Sequence, residues 1–110
     1  MTVSNTASVT VKAKARTLSI WFEDDQGNQI TEVTSGETFY ICGEYLENST
    51  PLSGETIHIF EVDEYGSPQT KVGTATTGTD GTFSLQVIAP TVTSDTDYYY
   101  RAYDDEQTPW

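Results

Sequence analysis

The sequence predicts an all-β protein, a sandwich of about seven to eight antiparallel strands. Its apolar residues occur in short alternating runs separated by Gly, Asn, Asp and Pro at regular intervals, which is the pattern of strands joined by tight turns. Composition agrees, because Thr, Val, Tyr and Phe are frequent and no stretch is rich in strong helix formers. A chain of 110 residues can bury one core, so we expect a single sandwich domain.

Residues 1–16 differ from the rest of the chain in pattern and in charge. Small apolar residues alternate here with polar ones that include three of the five basic residues, as Val9, Val11, Ala13 and Ala15 against Thr10, Lys12, Lys14 and Arg16. A basic edge strand would resist unwanted pairing. The same pattern also suits the last strand of a preceding domain or a strand donated to a neighbouring subunit. We therefore divide the chain into residues 1–16, an N-terminal extension or extra edge strand, and residues 17–110, the sandwich domain.

The first half of the sandwich domain predicts two long strands. In the first, Leu18, Ile20 and Phe22 alternate with other residues up to a turn at 24–28. The second runs from about 39 to 45, with its odd-numbered residues facing inward and its even-numbered residues facing outward. Between these strands we expect only a short extended segment at 31–34.

The second half predicts further strands and one hairpin. Phe60 and Val62 break the alternation of the strand at 57–62 and indicate a bulge or burial on both faces. Segments 72–77 and 82–88 are predicted to form a hairpin across the turn at 78–81, because Asp-Gly supplies the positive φ of such turns. The final strand is expected at 98–103. The predicted core consists of Phe39, Ile41, Ile57, Ile59, Phe83 and Leu85.

Charge excludes several classes of partner. The net charge is −12, so DNA and RNA are disfavoured, because binding to them needs Lys and Arg on the phosphates. Anionic membrane surfaces are disfavoured for the same reason, and no apolar run is long enough to insert into a membrane. Paired carboxylates suggest a calcium site, the loop at 24–28 being the nearest match. The simpler interpretation is a solvated turn whose Asp and Asn bond the backbone, and we expect no metal.

Chemistry at the side chains is equally restricted. The chain has one His, His58, and one Cys, Cys42, so it has no internal disulfide. Alternation places each on the outer face of its strand, and in a sandwich of this kind the two strands belong to opposite sheets. A Cys–His pair is therefore not expected. We predict a protein that is not an enzyme and that has neither catalytic residues nor a cofactor.

Outward-facing aromatic residues are the remaining candidates for binding. By alternation they are Trp21, Tyr40, Tyr99 and Tyr103. Exposed aromatic rings stack on sugars or anchor protein interfaces. The alternative is cross-strand pairing that stiffens the sheets, with Arg101 lying over a neighbouring ring.

Several turn and core motifs resemble those of prokaryotic immunoglobulin-like surface domains. They are Gly36-x-x-Phe39-x-Ile41-x-Gly43-x-Tyr45, Pro51-Leu-x-Gly54-x-x-Ile57-x-Ile59, Thr79-Asp80-Gly81-x-Phe83-x-Leu85 and Tyr98-x-Tyr100-Arg-Ala102. The resemblance implies an immunoglobulin-like sandwich that serves as a non-catalytic structural or adhesive module, extracellular on a cell surface or virion. The implied partners are neighbouring domains of a larger surface protein or assembly. The alternative function is a carbohydrate-binding module whose outward aromatics bind a glycan.

Overall fold

The computed structural model describes residues 1–105, and within this range the chain is all-β, with eight strands in two antiparallel sheets. The larger sheet contains β1 (Arg16–Glu23), β2 (Gln29–Ile30), β3 (Thr38–Glu47), β4 (Thr50–Pro51) and β7 (Thr82–Ile88). The smaller sheet contains β5 (Thr56–Val62), β6 (Pro68–Thr76) and β8 (Tyr99–Tyr103). The predicted all-β class is confirmed, and the arrangement is that of a β-sandwich. None of the described residues belongs to a helix that could cross a membrane.

Each sheet has one central strand. In the larger sheet β3 pairs with β1 on one side and with β7 and β4 on the other. In the smaller sheet β5 lies between β6 and β8. Within residues 1–105 the outer side of β1 is paired at Phe22 and Glu23 alone, where β2 joins it. Among the described residues β8 pairs with β5 alone, so its other side is an open edge.

The core lies between the sheets and matches the predicted faces. Its buried residues come from β3, β5, β6 and β7 and from Ala89 just after β7, and five of the six predicted core residues are among them, whereas Leu85 is half-buried. Gly43 also faces inward, because a Cβ there would collide with the Phe83 ring and with the Ser19 carbonyl. Only glycine allows these two neighbours to approach β3 so closely.

The predicted hairpin across residues 78–81 is wrong. The turn itself exists, since the Gly78 amide bonds the Thr82 carbonyl at 2.8 Å and Gly81 has a φ of 78°. However, β6 belongs to the smaller sheet and β7 to the larger one, so the turn carries the chain across the sandwich. The same turn residues serve a hairpin and a connection between two sheets, and only the pairing of the flanking strands distinguishes the two.

Short strands also lie where the sequence did not predict them. The residues at 31–34 are not a strand, and the short β2 precedes them. The loop after β3 is a two-residue hairpin to β4, with Asn48 and Ser49 at φ values of 50° and 67°. Positive φ at both positions is the mark of a type I′ turn. The irregularity predicted in β5 is confirmed, because the register with β6 shifts between Ile59 and Phe60 and again before Val62.

Residues 1–15, here called the arm, lie outside the sandwich. They form no strand in the structure and are exposed throughout. The molecule therefore extends over 83 Å along its long axis and has a radius of gyration of 19.5 Å. A compact domain of this length would have a radius of gyration of about 13 Å.

Candidate functional site

The smaller sheet carries an aromatic row on its outer face. His58, Phe60 and Val62 of β5 lie opposite Tyr103, Arg101 and Tyr99 of β8. Phe60 is fully buried although it faces away from the core, because the Tyr103 ring packs edge-on at 5.6 Å and Lys71 Nζ lies 5.9 Å from its centroid. Phe60, Tyr103 and Lys71 therefore pack together on the outer face of the smaller sheet, as the cross-strand alternative for Tyr103 predicts.

Arg101 lies over the turn between β5 and β6. A Cβ on Gly66 would collide with its guanidinium, and Gly66 has a φ of 89°. Glycine is thus required here both by its backbone conformation and by the side chain above it. Tyr99 is the most exposed β8 residue of the predicted aromatic set, with 43% of its surface accessible.

The other two predicted aromatics lie on the larger sheet. Trp21 of β1 is in register with Cys42 of β3, and its indole Nε1 donates a 2.6 Å hydrogen bond to Glu23. Tyr40 is in register with Glu23. The structure therefore brings Trp21 and Tyr40 together on one outer face and Tyr99 and Tyr103 on the opposite one. No single platform contains Trp21, Tyr99 and Tyr103.

Cys42 was predicted to point outward, and it does so without being exposed. Only 6% of its surface is accessible, since it lies in a shallow groove with Trp21 and Ser84, and its thiol donates a 3.6 Å hydrogen bond to the Ser84 hydroxyl. Burial raises the pKa of the Cys42 thiol, and Ser84 opposes this only in part. A protonated, covered thiol is a poor nucleophile.

Cys42 and His58 lie on different sheets, as predicted. Within residues 1–105 no three His, Cys, Asp or Glu side chains are arranged to hold a metal ion. In the loop at 24–28 the Asp24 carboxylate bonds the backbone of its own turn: Oδ1 accepts hydrogen bonds from the backbone amides of Gln26 and Asn28, each at 2.9 Å. The amide of Asn28 is the main cause of the lowered pKa of Asp24.

A cleft opens along the side of the sandwich, between the edges of β1 and β8. It encloses about 300 Å³. Its apolar lining comes from Ile20 and Phe22 of β1 and from the tyrosines at 98–100, and its charged lining is Asp63, Glu64 and Arg101. Sequence reasoning missed this cleft. The available signal was the run of inward-facing apolar residues in β1, which lies beside the edge strand β8 of the opposite sheet.

Three aromatic rings pack beside this cleft. Phe22, Phe39 and Tyr100 contact one another edge-on, with centroids 5.8 to 6.2 Å apart. Burial raises the pKa of Tyr100, and the nearby Glu61 raises it further. Such edge-on aromatic pairs stabilise beyond the area they bury, so this side of the cleft is rigid.

The arm leaves the body through a bonded root. The Asn48 amide donates to the Ala15 carbonyl at 2.8 Å, and the Ala15 amide donates back to Asn48 Oδ1 at 3.3 Å. Arg16 bonds Glu47 at 3.0 Å and the hydroxyl of the buried Tyr45 at 2.9 Å. These contacts hold the arm in line with β1.

Tyr45 connects the root to the end of β8. Its hydroxyl donates a 2.6 Å hydrogen bond to Asp104, one residue beyond that strand. Burial and the Asp104 carboxylate raise the pKa of Tyr45, and Arg16 lowers it. The start of β1, the central strand β3 and the end of β8 are thus joined at one side chain.

Comparison with family models, with curated proteins and with solved structures found no match for this chain.

Proposed function

We propose that this chain is a non-catalytic structural or adhesive module, an immunoglobulin-like sandwich of a prokaryotic surface protein or virion that acts outside the cell. The observation that supports it best is the bonded root at Ala15, where β1 continues straight into the arm. The root fixes the direction in which the chain enters the sandwich, and it limits bending between neighbouring modules to the exposed residues 1–13. Neighbouring domains of the same surface protein or assembly are the partners of such a module.

The acidic surface is consistent with this role. Like charges on successive modules repel, which keeps an extended array from folding on itself. The separation of Cys42 from His58 and the packing of Phe60 against Tyr103 on the outer face of the smaller sheet fit a rigid body better than a reactive one.

X-ray scattering from three copies joined in tandem tests the spacer. A rigid junction predicts a maximum dimension that grows by a constant increment with each copy. The same array with Arg16→Ala and Asn48→Ala loses the root contacts and should become shorter and more variable. Lys12→Ala, in the arm but outside the root, is the matched control. Equal dimensions for all three arrays would remove the spacer proposal.

A second candidate function is glycan binding at the smaller sheet. The exposed ring of Tyr99, beside Arg101, is the observation in its favour, because sugar rings stack on exposed aromatic faces. Retention on a panel of polysaccharide columns should be lost in Tyr99→Ala and kept in Trp21→Ala, whose ring lies on the opposite sheet. If the unaltered protein is retained by no polysaccharide, this candidate is excluded.

A further inference from the structure

We propose that the arm of one copy is a β-strand that adds to the open edge of β8 in a second copy, with its odd-numbered side chains in the cleft between β8 and β1. This self-assembly goes beyond the proposed spacer role and does not depend on it.

The arm has the side-chain pattern of a half-buried strand but no sheet of its own. Val9 and Val11 are 84% and 87% exposed, and they share one face with Ala13 and Ala15. The opposite face carries Thr, Ser and Lys. From residue 6 to residue 15, Val and Ala alternate strictly with Thr, Ser and Lys, which is the pattern of a strand, and among the described residues it is paired only at Ala15.

The acceptor has the matching features. β8 presents an open backbone edge over Tyr99–Tyr103, and an extended segment adds to such an edge through main-chain hydrogen bonds. Beside that edge, Ile20 and Phe22 face inward yet remain only half-buried. Small side chains such as Val and Ala suit a cleft of about 300 Å³. The arm would therefore cover apolar surface that the body leaves open.

Charge favours a second copy as the source of the strand. The arm carries Lys12 and Lys14 and no acidic residue, whereas residues 16–110 have three basic against 17 acidic residues, a net charge of −14. The cleft itself is lined by two carboxylates, Asp63 and Glu64, against one cation, Arg101. Opposite charges steer the encounter and disfavour wrong pairings.

The root directs the arm away from its own cleft. Ala15 is bonded to Asn48 and Lys14 Nζ lies 3.9 Å from Glu47, so the arm leaves in line with β1. Pairing with its own β8 would require a reversal of the chain at this point and the loss of these contacts. Because donor and acceptor are different surfaces of the same molecule, the contact is head-to-tail and builds chains of copies.

Sedimentation equilibrium of the full chain tests this proposal. We expect reversible self-association, and Val11→Asp should raise its dissociation constant by at least about tenfold, because it places a charge in an apolar cleft. Thr10→Asp is the matched control, since it makes the same change in charge on the opposite face and should act only through charge. Circular dichroism checks that both variants keep the fold, which is expected because neither position contacts the body.

A synthetic peptide of residues 2–15 provides an independent measurement. It should bind the full chain in competition with self-association, and the peptide with Val11→Asp should bind at least about tenfold more weakly. Three results would overturn the proposal: a monomer at all concentrations up to about 1 mM, equal effects of Val11→Asp and Thr10→Asp, or a dimer that the peptide does not dissociate. The two proposals can fail separately, because the tandem array is judged by Arg16→Ala and Asn48→Ala at the root and self-association by Val11→Asp in the arm.

Discussion

The arm and β3 have the same two-residue alternation and opposite surroundings. In β3 the odd-numbered residues Phe39, Ile41 and Tyr45 are buried, and strands pair along both of its sides. In the arm the odd-numbered Val9 and Val11 are almost fully exposed, and among residues 1–105 no strand pairs with the arm beyond the bonds of Ala15 at its root. Alternation thus indicates that a segment can form a half-buried strand, but it does not indicate which sheet the strand joins.

Ile41→Ala against Val11→Ala tests this contrast with the largest expected effect. Ile41 is fully buried, so its truncation should lower the free energy of unfolding by about 2–5 kcal/mol. Val11→Ala in the arm should change it by less than about 0.5 kcal/mol at concentrations where the chain is monomeric. Urea unfolding followed by tryptophan fluorescence measures both. A large loss in the arm variant would mean that the arm packs on its own body.

Gly43→Ala examines how tightly β3 is enclosed. The added Cβ meets the Ser19 carbonyl, which cannot move as a side chain can, so we expect a loss of about 1–3 kcal/mol in the free energy of unfolding. Gly78→Ala is the control, because its nearest neighbour would be 3.5 Å away and its φ is not positive. If both variants unfold at the same urea concentration, the close approach of β1 and β7 to β3 is incorrect.

Tyr45→Phe tests the junction between the two regions. It removes the hydroxyl that joins Arg16 to Asp104, and we expect a loss of about 1 kcal/mol in the free energy of unfolding, because water can solvate both released charges. Tyr99→Phe, on an exposed ring, is the control and should leave the free energy of unfolding unchanged. Tyr45→Phe should also increase the spread of dimensions in the tandem array. An unchanged stability would show that the hydroxyl bonds contribute nothing.

Asp24→Ala is expected to have the smallest effect, and one that depends on pH. The pKa of Asp24 is lowered in the folded protein, so its contribution is present above the ordinary aspartate pKa of about 4 and is lost as the pH falls through the folded value. The melting temperatures of the variant and the unaltered protein should therefore differ at pH 7 and converge in acid. A gap that widens in acid would reverse the assigned sign.

Much of the fold was predictable from the sequence, because it depends on local pattern. The faces of Ile41, Ile57 and Phe83 follow from alternation, and the register shifts of β5 follow from its interruption at Phe60. The crossing between sheets at the turn 78–81 was not predictable, because an Asp-Gly turn of this kind also occurs in hairpins.

The candidate site was less predictable, because it depends on which strands are neighbours. Alternation placed Trp21 and Tyr99 outward but could not show that they lie on opposite sheets. Cys42 is buried although it faces outward, and the residues beside it, Trp21 and Ser84, lie on other strands. The cleft arises from an open edge, which is a property of sheet order that no single segment encodes.

Hydrogen exchange measured as a function of protein concentration tests the central claim most directly. If the arm is a strand whose sheet belongs to a second copy, the amides of residues 9–13 and of β8 should gain protection together as the concentration rises. The amides of β3 should be protected at every concentration, because their partners belong to the same chain. Exchange in the arm that stays fast at all concentrations, or protection that does not depend on concentration, would contradict the account.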